Sequence, residues 1–324
     1  ARLKVGLRRI LQAMDDNPNG ALAQENGCTA ILELIPYSSD AEWRRVKSAD
    51  GSEKQAHLRV LLSIADCGAV RTMCRAAETH RLNLEIQLLV CKLLHLLGRA
   101  PENLLRIAQN GGVEAVIGAI QASSSEAAVQ VLGCNVLARL GLDAECYAII
   151  PRKGGVAAVL GSMRAHRSEA KVQEAACLAL HNLTWREGEV KNKRAVVEAG
   201  GAEAVPGAMR GFPEDAGVQS EAMACVCSLA GTQLGGLKVG LGERGAIEAV
   251  VAGMKEHIGD ARVQEQACMA LHNLSNISGN ARKLALSLQR LRSCGAVEVI
   301  STALVNHADS SRVQKWGRRV LSRL

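Results

Sequence analysis

Eleven cysteines and a recurring histidine, His95, His181 and His272, are the residues best suited to hold a metal. Zinc chemistry would require them to converge on one ion at bonds of about 2.0 to 2.3 Å. Cys225 and Cys227 stand two apart, which on a helix puts them on different faces and is not a CxxC pair. The run GLGERG, Gly240 to Gly245, satisfies GxGxxG, but that pattern cradles a nucleotide only between a strand and the start of a helix. No HExxH, P-loop, nucleophile elbow or paired-carboxylate arrangement stands out. The residues therefore point to no enzyme, no catalytic group, no cofactor and no metal.

Whether any of these side chains meet depends on the elements that carry them. The phrase VQEAACLALHNLT, Val172 to Thr184, returns 91 positions later as VQEQACMALHNLS, Val263 to Ser275. Glycines followed by a small or apolar residue set a ruler: Gly27, Gly68, Gly112, Gly155, Gly201, Gly245 and Gly295, at intervals of 41, 44, 43, 46, 44 and 50. Recurrence at this period marks a repeat architecture, and 91 is two periods.

Each unit reads as three helices. A short first helix, such as NKRAVVEA, is stopped by glycine. A second carries a stripe such as Ile247, Val250, Val251 and Met254 at i, i+3, i+4, i+7. A polar loop leads to the third, a copy of the duplicated phrase. Units start near 15, 53, 101, 143, 190, 236 and 281, after a partial repeat over 1–14. In that partial repeat Leu3 to Met14 reads as a third helix, with NPNGALAQENG as the next unit's first. No unit can bury its stripe alone, so residues 1–324 are expected to stack as one solenoid.

Composition agrees. Residues are 48% hydrophobic but only 2% aromatic, with six prolines, which favours helices packed through Leu, Val, Ala, Ile and Cys. The odd cysteine count in a long chain without a secretory segment fits the cytoplasm or another reducing intracellular compartment. No apolar run reaches the length of about 18 residues needed to span a membrane.

The unit resembles the armadillo repeat, carried by NKRAVVEAGGAEAV from Asn192 to Val205 and by the two VQ helices. HEAT repeats are the near alternative, and the short first helix ending in glycine favours armadillo. The resemblance implies an all-α, right-handed α-α superhelix, an armadillo-repeat solenoid of about six to seven repeats. It also implies that the third helices line a concave groove.

With the valine of VQ as position one, third helices begin at Ile86, Val129, Val172, Val218, Val263 and Val313. Position two is always Gln, a structural residue serving backbone NH groups or the preceding loop. Position six reads Cys91, Cys134, Cys177, Met223, Cys268 and Arg318, a packing column of buried thiols. The three histidines share position ten but lie two repeats apart, too far to share an ion.

Position eleven reads Leu96, Arg139, Asn182, Ser228, Asn273 and Arg323. The resemblance implies that Asn182 and Asn273 clamp the backbone of an extended peptide, since an amide both donates and accepts. A hydrogen bond tying one repeat to the next is the alternative. Importin-alpha-type readers of basic peptides carry tryptophan four residues earlier. Here that column is Lys92, Asn135, Leu178, Ala224, Met269 and Arg319, so a lysine-rich cargo would lose its stacking and meet like charge.

Net charge is +7, with cations crowded at Arg2, Lys4, Arg8 and Arg9, at Arg44, Arg45 and Lys47, and at Arg312, Lys315, Arg318, Arg319 and Arg323. Cations in groove columns favour an acidic protein partner, whereas few aromatics are present to stack on nucleic-acid bases. The expected site comprises Lys92, Asn135, Arg139, Asn182, Ser228, Asn273, Arg319 and Arg323. The expected role is a non-catalytic scaffold or adaptor holding a partner segment in its groove. The alternative is a structural subunit touching partners through its ends and convex face. Ends without polar caps suggest part of a longer chain or complex.

Overall fold

The structure, a computed structural model, describes residues 2–39, 42, 51–186, 190–232 and 235–324. The cationic run at Arg44, Arg45 and Lys47 lies outside the described residues. Among those described, every regular element is a helix and there is no strand. The chain forms two compact units, Ala1–Ala158 and Val159–Leu324.

In the first unit, α1 (Arg2–Asp16) and α2 (Ala21–Glu33) precede two complete triplets. These are α3 (Gly51–Asp66), α4 (Ala69–Thr79) and α5 (Leu84–Leu97), then α6 (Glu102–Gln109), α7 (Gly112–Ala122) and α8 (Ala127–Leu140). Helix α9 (Ala144–Arg152) is the first of another triplet, and the division between units falls within its second, α10 (Gly155–Ala165). Third helices stack on third helices, α2 on α5 and α5 on α8, while α4 stacks on α7.

The second unit holds α11 (Ala170–Asn182), a third helix, and three triplets. They are α12 (Val190–Glu198), α13 (Gly201–Gly211), α14 (Ala216–Ala230); α15 (Gly235–Glu243), α16 (Ala246–Glu256), α17 (Ala261–Leu274); and α18 (Ala281–Ser293), α19 (Ala296–Asn306), α20 (Ser311–Leu321). Here α11, α14, α17 and α20 form one layer, and α13, α16 and α19 another.

The turn between first and second helices explains the glycine ruler. Gly68, Gly111, Gly154, Gly200, Gly245 and Gly295 all have φ between 83° and 99°, the left-handed region that costs any residue with a Cβ. Where two glycines adjoin, the first makes the turn and the second makes room. A Cβ on Gly201 would lie 2.5 Å from Val196 Cγ1 and 2.8 Å from the Val196 carbonyl oxygen.

The glutamine column closes each second helix onto its third. Gln264 Nε2 donates to the carbonyls of Met254 and His257 at 3.0 and 2.8 Å. Gln87, Gln130, Gln173, Gln219 and Gln314 repeat the pattern with the carbonyls ten and seven residues back. The amide thus serves carbonyls at the end of a helix rather than NH groups, and the one seven residues back, such as that of His257, also accepts a turn NH.

This bond corrects the reading of the N-terminal segment. Gln24 Nε2 donates to Met14 and Asn17 in the same way, both at 2.8 Å, so α1 is a second helix and α2 a third. Gly27 lies inside α2, where a Cβ would come 2.3 Å from Met14 Cγ, and is a packing residue rather than a turn. Cys28 then joins position six. Cys28, Cys91, Cys134, Cys177 and Cys268 are all at most 1% exposed, and burial pushes the thiols of Cys28, Cys91 and Cys268 up to about 12.

Candidate functional site

In the second unit the third helices line a groove of about 1100 Å³, closed on one side by residues of the first helices. Two buried lysines set its charge. Lys193 of α12, 2% exposed, donates from Nζ to the Gly231 carbonyl at 2.6 Å, just past the end of α14. Lys238 of α15, 6% exposed, makes the equivalent bond to Asn276 past α17, also at 2.6 Å. A cation at a helix C-terminus meets both unpaired carbonyls and the negative end of the dipole. Each lysine stands seven residues before its left-handed glycine, so the two are one repeat apart.

The aromatic walls come from positions outside the columns compared above. Trp185, 44% exposed, follows the end of α11, and Trp316 is at position four of α20; both line the groove. Arg186 lies over Trp185 with its guanidinium carbon 5.1 Å from the ring centroid, and Lys315 and Arg319 lie 4.8 and 4.9 Å over Trp316. His272 stacks at a tilt on Trp316, centroids 4.8 Å apart.

Like charges crowd at the α20 end. Burial and then Arg323 and Lys193 lower the Lys238 amine, and burial and then Arg319 lower the Arg323 guanidinium. His272 falls to about 4 through burial, followed by Arg323, Arg319 and Lys238. Acids stand toward the starts of the third helices, where Glu221 pairs with Arg262, and Glu265 accepts from Ser310 at 2.8 Å and lies 3.7 Å from Arg312.

Of the residues expected from the sequence, the groove brings together Ser228 and Asn273. Asn273 Nδ2 donates to the Cys227 carbonyl of α14 at 3.0 Å, a hydrogen bond between neighbouring repeats. Asn182 is 9% exposed at the end of α11. Ser228 Oγ donates to Ala224 O at 3.0 Å and takes the Nδ1 hydrogen of His181 at 2.6 Å. Arg319 covers Trp316, and Arg323 reaches back to α17. Lys92, Asn135 and Arg139 lie half-buried on α5 and α8 of the first unit, and Arg139 Cδ sits 2.9 Å from where a Cβ on Gly98 would be. The GLGERG run forms the end of α15 and its left-handed stop, with a helix before it where a nucleotide site has a strand.

Sequence reasoning missed Lys193, Lys238, Trp185 and Trp316. A lysine recurring seven residues before the turn glycine, and two of the chain's three tryptophans in one unit, were the available signals.

Among known families, the one described as LRRK2 ARM repeat matches residues 75–321, about three quarters of the chain. The chain belongs to that family. This ARM repeat chain matches no curated protein. A crystal structure of an engineered protein aligns at 24% identity and TM-score 0.65, over 79% of this chain and 96% of that one. That likeness shows the fold. A structure from work on a phosphorylation switch in the cadherin–β-catenin interaction aligns at 15% identity and TM-score 0.45. There 99% of this chain is covered, which spans 65% of that one. The ARM repeat chain is thus an all-α solenoid, a fold that commonly serves as a protein-interaction scaffold. No helix among the described residues is long and apolar enough to cross a membrane.

Proposed function

We propose that the chain is a non-catalytic scaffold or adaptor whose second-unit groove holds an extended acidic segment of a partner protein. One observation carries this reading. Lys193, Lys238, Arg312 and Lys315 line the groove, and no Asp or Glu is among its described lining residues. Trp185 and Trp316 add flat apolar surfaces of the kind that anchor a segment after its charge has steered it in. All eleven thiols are free, which supports a reducing compartment as the place where the chain works.

The test uses fluorescent peptides of alternating Glu and apolar residues, with Lys-for-Glu analogues as controls. Arg312→Glu with Lys315→Glu, both exposed, should weaken the acidic peptide at least tenfold, and Trp316→Ala by about as much. Affinity should fall as salt rises. Equal binding of the basic analogue, or no change on charge reversal, would overturn the reading.

A further inference from the structure

A second cavity, of about 340 Å³, opens between the first helices α15 and α18. Three departures from the repeat converge there. The interval from Gly245 to Gly295 is the longest between turn glycines, 50 residues, and the extra length goes into α18, 13 residues where α6, α9, α12 and α15 have eight or nine and α3 has 16. The loop before α18 holds Gly279 at φ 76°, the one left-handed glycine outside the recurring turn among the described residues. Gly242 stands three residues before its turn glycine, where α6 has Ala108, α9 Pro151 and α12 Val197.

The absent side chain at Gly242 relieves no clash. A Cβ there would meet Ile247 Cδ1 at 3.7 Å, ordinary contact, so the space is room left open rather than room required by packing. The lining mixes two chemistries. Ile247, Ile277 and Leu286 are apolar. Beside them, Lys238, Arg282, Lys283 and Arg290 outnumber the single acid Glu243, and no ion pair joins any of the five among the described residues. The frame is braced by Arg290 donating to the Gly242 carbonyl and by Lys238 donating to Asn276. The capped N-terminus of α18, where Asn280 accepts from Lys283 N at 2.9 Å, adds a positive dipole end to the lining.

We infer that this cavity binds a small amphipathic anion, a carboxylate or phosphate head joined to a short apolar body. Open space, apolar side chains and cations that no ion pair neutralises meet there. Pockets of this size with a few placed polar groups are the usual form of small-molecule sites.

The experiment titrates octanoate and octyl phosphate into the full chain by calorimetry, with acetate and octanol as probes lacking one half of the ligand. Saturable one-to-one binding of at least one amphiphile is expected, with acetate and octanol at least tenfold weaker, and the tighter amphiphile names the head group. Gly242→Val fills the cavity with the side chain α12 already carries and improves helix propensity. It should fold normally by circular dichroism and lose binding at least tenfold. Arg282→Glu with Lys283→Glu, both exposed, should do the same. Trp316→Ala should leave octanoate binding unchanged, which separates this site from the groove. Binding that survives in a folded Gly242→Val chain, or no saturation by either amphiphile, would overturn the inference.

Discussion

Arg323 donates from Nη1 to the main-chain carbonyl of His272 at 3.0 Å, the same bond by which Asn273 reaches the carbonyl of Cys227. Both donors occupy position eleven and both acceptors position ten of the preceding third helix. An arginine therefore stands in for an asparagine here without changing what the position does, which is to tie neighbouring repeats.

Asn273→Ala should lower stability by about 1 kcal/mol, the net worth of one hydrogen bond, since the Cys227 carbonyl keeps the NH of Gly231 at 2.9 Å. Arg323→Asn should cost less than Arg323→Ala, since the shorter amide still carries a donor for that carbonyl. Urea unfolding followed by circular dichroism measures both. An Asn273→Ala midpoint equal to that of the wild type would remove the tie from the account.

Gln264 offers a sharper contrast, being 0% exposed with two carbonyls on one amide nitrogen. Gln264→Ala should cost about 1 to 3 kcal/mol, because it orphans the Met254 carbonyl while that of His257 keeps the NH of Asp260 at 3.0 Å. Gln264→Glu should be worse at pH 7, where a carboxylate faces two carbonyl oxygens, and should recover partly on acidification as the protonated acid donates to one. Urea midpoints at pH 7 and pH 5 decide between a specific donor and mere filling of space.

His272 gives a pH dependence of definite sign. The Arg323 guanidinium only donates, so its approach to His272 Nδ1 at 3.2 Å requires an unprotonated ring nitrogen. The ring's pKa drops from 6.5 to about 4, through burial first and then Arg323, Arg319 and Lys238. The folded state thus binds this proton more weakly than the unfolded one. The contribution to stability is complete above about pH 6.5 and disappears as pH falls toward 4. Between pH 7 and 4 the wild type should lose about 2 kcal/mol more than His272→Gln. Parallel stability curves for the two proteins would contradict this.

The thiols should divide by burial. At pH 8 under native conditions, half-buried Cys67 and Cys294 should alkylate first, while Cys28, Cys91 and Cys268, pushed up to about 12, stay protected until the chain unfolds. Mass spectrometry of iodoacetamide-treated protein reads the order, and early labelling of Cys91 would show local opening of α5.

Most of the repeat was legible in the sequence because its marks are local. A left-handed glycine, an invariant glutamine and a column of small thiols each satisfy a constraint that recurs once per unit. The start of the chain was misread because an apolar stripe of period 3.6 is common to second and third helices. In Leu3 to Met14 it carries no VQ to tell them apart. Gln24 and Cys28, four residues apart as in the later copies, held the answer, and Gly27 beside them imitated a turn. The site was less legible. Lys193 and Lys238 sit on first helices yet act at the far ends of third helices 38 residues later, so comparing third helices alone could not find them. Trp316 lies at position four, three places before the column in which an aromatic shelf was sought.

The glutamine bonds and the position-eleven bonds differ in one respect that matters for how the chain comes apart. Every glutamine bond begins and ends within ten residues, inside one repeat, whereas the bonds of Asn273 and Arg323 cross to the next. In a linear array the first kind sets the intrinsic stability of a unit and the second the coupling between neighbours. Sharpness of unfolding and its midpoint are therefore held by different residues, and either can drift under selection without dragging the other along.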